Sequence, residues 1–300
     1  MSKRITLFVC MLLMFSLIPA CGGDDEPKAT IRVSSKDYTE QFILGEMYAL
    51  LLENSGFKVE REFSLGGSPA LQDALVTGKI DLYPEYTGTG LMTVLKLPVN
   101  TDPQQVYDTV AQGYEEQFNL IWLDPAPMNN TYVLVMTQQA AAQYGIETIS
   151  DMVAQASQLT MAGTVEFANR EDGLPGIERV YGSFELARYI PIEPDLKYRA
   201  LIDGDADIIT GFGTDGQISA FNLVALEDDK QMYPPYQVAP VVRQEILSAH
   251  PDIRDILNEL APLLTDATMQ RLNNEVSGNK REPLDVAQEF LLEQGLIETE

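Results

Sequence analysis

The chain has 300 residues, 45% of them apolar and 22% charged, an ordinary balance for a folded protein and more length than one core usually organises. Its formal net charge of −25, from 20 Lys and Arg against 45 Asp and Glu, is not ordinary. It excludes the basic surface that a nucleic-acid partner requires and predicts a well-solvated exterior.

Lys3 and Arg4 precede an apolar run, Ile5 to Ile18, too short to span a bilayer comfortably, which is the pattern of a signal segment over residues 1–20. Ile18-Pro19-Ala20-Cys21 resembles the lipobox of a bacterial lipoprotein, although Pro19 departs from the small or apolar residue usual there. Cys21 is the expected lipidation site; an ordinary secretory peptide cut near Ala20 is the alternative. Loss of Lys3 and Arg4 would leave a charge of about −27. Cys10 and Cys21 are the only cysteines, so no pair remains for a disulfide and no thiol for catalysis. Residues 21–29, with Gly22-Gly23-Asp24-Asp25-Glu26, have no apolar face and read as a tether.

Ile31 to Ser35 is a predicted strand, and Thr39 a candidate N-cap for a helix carrying Phe42, Ile43, Met47, Leu50 and Leu51. Phe57 to Phe63 alternates as a second strand, and Ser68-Pro69 opens another helix as N-cap and N1. A third strand signal at Ile80 and Leu82 runs into Tyr83-Pro84-Glu85-Tyr86-Thr87-Gly88-Thr89-Gly90. There Pro84, lacking an N–H, is expected to stop sheet pairing. Gly88 and Gly90 are expected to allow positive φ and close backbone approach. The loop is either a plain strand-to-helix turn or the edge of a cleft. This β-α-β-α-β order predicts a mostly parallel sheet covered by helices.

Asp102-Pro103 starts a further helix, Tyr132 to Met136 is a strand, and a fresh βα pattern runs from Ser150 to Ala162. An internal echo follows. Ala74-Leu75-Val76-x-Gly78-x-x-Asp81-Leu82 matches Ala200-Leu201-Ile202-x-Gly204-x-x-Asp207-Ile208, and the same offset carries Tyr86 onto Phe212. Generic helix-Gly-strand geometry would also produce it, but both halves deliver an aromatic at a strand end. Asp215 is a candidate helix N-cap, Met232-Tyr233-Pro234-Pro235-Tyr236 is a stiff connector, and the C-terminal stripes (Ile253, Leu257, Met269, Leu272, Val286, Phe290) read as packing helices.

His250 is the only histidine, and neither a nucleophilic triad, a metal-ligand cluster, a phosphate loop nor GxGxxG is present. No cofactor or metal is therefore expected, and an enzyme would have to rely on Glu85, Glu166 or Asp215. What the chain offers is aromatics at loop positions (Tyr86, Tyr132, Phe212, Tyr236) and two isolated cations, Lys36 and Arg170. Aromatic faces attract a quaternary ammonium by about 0.5–2 kcal/mol per ring, and Lys with Arg suits a carboxylate. Each also has a plain reading: Tyr132 as strand core, Lys36 and Arg170 as surface charges, Tyr236 as packing beside a hinge.

Ser35-Lys36-Asp37-Tyr38-Thr39-Glu40-Gln41-x-Ile43-Leu44-Gly45-Glu46 and Tyr83 to Gly90 resemble the substrate-binding proteins of osmoprotectant ABC importers, which capture glycine betaine, choline, carnitine and related compounds. Asn129-Asn130-Thr131-Tyr132, Arg170-x-Asp172-Gly173, Thr214-Asp215-Gly216 and Asp228-Asp229-Lys230 through Pro240 extend the resemblance over about residues 31–295. It implies an α/β, class II periplasmic-binding-protein fold whose two lobes are joined by crossover strands near Tyr132–Met136 and Tyr233–Ala239. Residues 30–134 and 236–300 are expected in lobe 1, residues 135–235 in lobe 2. The family's aromatic cage maps onto Tyr86, Tyr132, Tyr236 and, where it has a fourth tyrosine, Phe212; its carboxylate clamp maps onto Lys36, Thr89 and Arg170. The resemblance implies an extracytoplasmic, lipid-anchored, monomeric receptor that passes a betaine-like solute to an ABC permease. Choline, another small solute such as an amino acid, or a role as sensor are the alternatives.

Overall fold

The alternating and continuous apolar runs become ten strands, β1 (Thr30–Ser34), β2 (Lys58–Glu62), β3 (Leu82–Tyr86), β4 (Leu120–Trp122), β5 (Tyr132–Thr137), β6 (Thr160–Gly163), β7 (Arg188–Pro191), β8 (Ile208–Phe212), β9 (Leu223–Ala225) and β10 (Val238–Arg243). They are seen in a computed structural model that describes residues 27–165, 167–169, 172–193 and 196–298. Cys21, Glu166 and Arg170, singled out above, lie outside the described residues.

Two five-stranded sheets result, in the orders β2-β1-β3-β10-β4 and β7-β6-β8-β5-β9. Each is parallel apart from its fourth strand: β10 runs antiparallel to β3 and β4, and β5 antiparallel to β8 and β9. Side-chain alternation gives each sheet a core on both faces. Leu82 and Val242 pack with Ile43, Leu257, Met269 and Phe290 on one side of the first sheet, Tyr83 and Val241 with Leu71, Val106 and Trp122 on the other. In the second sheet Leu134, Met136 and Ile208 face one core, Val135 and Ile209 the other. This is the two-lobed α/β fold expected from the sequence. β5 lies wholly in the second sheet, so the chain changes sheet before Tyr132 rather than within the strand, and returns before Val238.

The echo is real in three dimensions. Gly78 and Gly204 take φ of 72° and 79°, left-handed values that favour glycine, at the turn between helix and strand. Lys79 N and Asp205 N then donate to Ala74 O and Ala200 O at 2.8 and 2.9 Å. One step on, Asp81 and Asp207 each accept from a neighbouring backbone N–H, that of Arg32 at 2.9 Å and of Thr160 at 2.8 Å. Asp81, 1% exposed, also holds Arg32 (2.9 and 2.7 Å) and Arg243 (3.3 Å).

Several local expectations need correction. Pro84 does not end pairing, because β3 continues to Tyr86 with Pro84 directly opposite Pro240 of β10. Pro240 O accepts from Leu123 N at 2.9 Å, away from β3, so the two prolines face each other where an antiparallel ladder uses no N–H between that pair. Thr39 and Ser68 are first helical residues, with Tyr38 and Gly67 in extended backbone as the caps, and neither cap makes a side-chain bond to its helix. Asp102 does cap, accepting from Gln105 N at 3.0 Å.

Removing the Asp81 carboxylate leaves a part-buried backbone N–H without its acceptor and takes a carboxylate partner from two guanidinium groups, of which Arg243 keeps Glu245 and Arg32 keeps Gly78 O. Asp81→Ala should therefore cost about 3 kcal/mol, against about 1 kcal/mol for Asp207→Ala, which loses mainly one backbone bond. Urea unfolding of both variants checks this, and equal losses would refute the unequal roles.

Candidate functional site

β3 ends at Tyr86 and β8 at Phe212, and both residues border a cavity of about 760 Å³. The carboxyl ends of parallel strands are where α/β sheets place ligands. Lys36, Tyr38 and Glu40 reach the cavity from the turn after β1 and the start of the helix Thr39–Asn54. Thr89 comes from the turn after β3, Asn130 and Tyr236 from the two chain crossings, Thr214 and Asp215 from the loop after β8, and Asn273 from the helix Asp266–Ser277.

Five residues named from the sequence thus line one cavity: Lys36, Tyr86, Thr89, Phe212 and Tyr236. Tyr132 does not line it. The β5–β8 register sets Tyr132 opposite Phe212, and the rings stack at 4.8 Å between centroids and 26° between planes, with Phe167 on the Tyr132 edge at 5.5 Å. Such a stack contributes about 0.5–1.5 kcal/mol and holds Phe212, which is 37% exposed, in place. Tyr38 supplies a further ring at the cavity, and nothing in its spacing announced it.

Gly88 and Gly90 serve closeness, not unusual φ, since neither has a positive φ. A Cβ on Gly88 would fall 2.7 Å from Pro235 O and 2.9 Å from the Tyr236 ring, and one on Gly90 2.8 Å from the Trp122 indole. The bare backbone lets the β3 turn seat against the connector that carries Tyr236.

Lys36 is not a free cation. Its ammonium is buried, 2.5 Å from Glu85 Oε1, and stands over the Tyr86 ring at 4.8 Å. Glu85 also accepts from Tyr83 Oη at 3.1 Å and Tyr86 N at 2.7 Å. In the second sheet Asp215 does not cap with its side chain; Oδ2 turns back to accept from Phe212 N at 3.0 Å and Tyr198 Oη at 2.6 Å, and lies 3.6 Å from Lys197 Nζ. That ammonium sits 5.4 Å from the centre of the Phe212 ring.

Glu40 is the residue the sequence reading passed over, although it stands inside the quoted motif. It is 3% exposed. Oε1 accepts from Tyr86 Oη at 2.6 Å and Asn130 Nδ2 at 2.9 Å, and Oε2 from Asn273 Nδ2 at 2.9 Å. The Thr214 side chain also hydrogen-bonds to it. Burial pushes the carboxyl above the ordinary glutamate range, while these four partners pull the other way. Its partners are scattered over the chain, which is why no local pattern could announce it.

A second cavity, of about 680 Å³, lies by the start of the helix Gln244–Ala249 and is lined by Phe118, Arg243 and Glu245. Its cation is engaged by Asp81 and Glu245. Among the described residues no group of three His, Cys, Asp or Glu could hold a metal, and no helix is long and apolar enough to cross a membrane.

Residues 29–293 match the OpuAC family, the substrate-binding domain of ABC-type glycine betaine transport systems. The carnitine transport binding protein OpuCC of Listeria monocytogenes is 34% identical over 305 residues, covering 99% of this chain and 98% of its own. The ergothioneine transport permease/ergothioneine binding protein EgtU of Helicobacter pylori is 35% identical over 294 residues, 97% of this chain but 52% of that protein, so the chain spans about half that relative's length. A crystal structure of a glycine betaine/carnitine/choline ABC transporter protein superposes with a TM-score of 0.86 at 32% identity, covering 89% of this chain and 100% of that one.

Because folding raises the Glu40 pKa, its contribution to stability is fully present at low pH and is lost as pH rises through the folded-state value. Wild type should therefore lose stability relative to Glu40→Gln between about pH 4 and pH 8. Urea midpoints for the pair at both ends of that range test the sign; a constant difference would place the titration elsewhere.

Proposed function

Since the chain belongs to the OpuAC family of substrate-binding domains of ABC-type glycine betaine transport systems, we propose that it captures a quaternary-ammonium osmolyte, betaine-like, in the cavity between its sheets and delivers it to an ABC permease. The family is extracytoplasmic and works with such permeases. One observation carries the ligand class: rings from both sheets and from a crossing, Tyr38, Tyr86, Phe212 and Tyr236, border the same cavity as the buried carboxylate Glu40. Aromatic faces beside a carboxylate suit a methylated cation, which presents no N–H and gains nothing from hydrogen-bond acceptors.

In this reading Tyr86, Phe212 and Tyr236 form the walls of the cage and Tyr132 backs Phe212. Thr89 and Arg170 serve the ligand's carboxylate, Arg170 on the strength of the family resemblance. Lys36, held by Glu85, orders the Tyr86 face before it serves any ligand. The first lobe is then residues 30–131 with 236–300 and the second lobe residues 132–235, since all of β5 joins the second sheet. Cys21 carries a lipid that holds a monomeric receptor at the membrane. Closure is stabilised by a ligand that touches both lobes.

Rings and polar contacts of this kind reach about −7 to −8 kcal/mol net, the micromolar range. Calorimetry against glycine betaine, proline betaine, carnitine, choline and ergothioneine should find at least one micromolar ligand, and Tyr86→Ala should weaken it at least about tenfold. Neither heat nor thermal shift with any of the five at millimolar concentration would overturn the ligand class. Wild-type affinity in Tyr86→Ala would remove that ring from the cage.

A further inference from the structure

We propose that Glu40 is the positioning residue that makes the cavity discriminate a permanent cation from an uncharged molecule of the same shape, acting through the Tyr86 hydroxyl. The inference rests on the ligand class proposed above and says which group enforces it.

Three features of the geometry support this assignment. First, among the described residues the charges bordering the cavity cancel in pairs except one. Lys36 is 2.5 Å from Glu85, and Asp215 is 3.6 Å from Lys197. Among the described residues Glu40 has no ion-pair partner, so its charge is the unbalanced one at this edge of the cavity. Second, each of its four partners donates: the Tyr86 phenol, the Thr214 hydroxyl and two amide N–H groups, which favour the anion over the acid. Third, the Tyr86 contact is short, at 2.6 Å, as bonds from a hydroxyl to a carboxylate are. A phenol whose proton leans toward an anion carries more negative charge on its ring. The attraction of a cation to that face is electrostatic, so it strengthens with that charge.

The Lys36 ammonium over the Tyr86 ring would oppose this if it acted alone, but its pairing with Glu85 leaves little net field. An uncharged isostere entering the cavity leaves Glu40 buried and uncompensated, whereas a trimethylammonium compensates it with no hydrogen bond required. The carboxylate thus excludes shape mimics as much as it attracts the cation.

The test compares two ligand pairs at pH 8, glycine betaine with 3,3-dimethylbutanoate and choline with 3,3-dimethylbutan-1-ol. In each pair carbon replaces the quaternary nitrogen and removes only the positive charge. Affinities are measured by calorimetry and, for the weaker member, by competition. Wild type should prefer the cation of whichever pair it binds. Glu40→Gln should reduce that preference at least about tenfold, mainly by weakening the cation, and Tyr86→Phe, which keeps the ring and removes the hydroxyl, by about threefold. If Glu40 only braces the fold, both members of a pair weaken together and the ratio stays at its wild-type value, which overturns the inference. Should Glu40→Gln fail to fold, an unchanged ratio in Tyr86→Phe overturns it equally. Failure of wild type to bind either of these, or carnitine, proline betaine or ergothioneine, is a different result: it refutes the ligand class itself.

Discussion

Everything in this molecule hangs on the chain passing twice between its sheets along one narrow seam. The crossings are bonded to each other: Tyr236 N donates to Asn129 Oδ1 at 2.7 Å, Asn130 N to Tyr236 O at 3.2 Å, and Thr131 Oγ1 to Pro234 O at 3.3 Å. Thr87, the residue after β3, closes the seam from the first sheet, donating from N to Gln237 O at 2.9 Å and from Oγ1 to Pro235 O at 3.1 Å. A seam of this kind satisfies its own backbone groups, so two lobes can turn about it without exposing a sheet edge. It also carries Asn130 and Tyr236 directly to the cavity, so chain crossing and cavity wall are one piece of chain.

The second constraint is a carboxylate out of water. An ionised carboxylate taken from water costs several kcal/mol after relaxation, and a hydrogen bond to it returns about 1.5–3 kcal/mol. Glu40 therefore needs most of its donors present together, and they come from the end of β3, a crossing, the loop after β8 and the helix Asp266–Ser277. The same helix seals the seam from outside. Asn273 Nδ2 also donates to Thr214 O at 2.8 Å and Gln270 Nε2 to Gly213 O at 2.7 Å, and a Cβ on Gly216 would fall 2.5 Å from Asn274 N. One acidic side chain and one helix thus report to both sheets at once, and any relative movement of the lobes must change the shell around that charge.

Much of this was legible in the residues. The repeated helix-Gly-Asp-strand unit marked the two equivalent strands, because the left-handed glycine that ends each helix is a local requirement, although the aspartate's bond to an N–H 49 or 47 residues earlier is not. The aromatic at each strand end was visible for the same reason. Pro84 misled because its meaning depends on which side of the strand lacks a partner, and Pro240 opposite it removes the conflict. Gly88 was noticed, but its purpose, contact with Pro235 and Tyr236, requires knowing what lies across the gap.

By itself the sequence determined the two α/β halves, their equivalence and five of the side chains at the cavity, since helix stops, strand alternation and strand-end residues are written within a few neighbours of each other. Only the tertiary structure decided which charges are spent and which remain. Lys36 meets Glu85, Tyr132 falls behind Phe212, and Glu40 collects donors from as far away as Asn273. Those outcomes depend on distances between segments remote in the chain, and an electrostatic field is set by such distances rather than by spacing along the backbone.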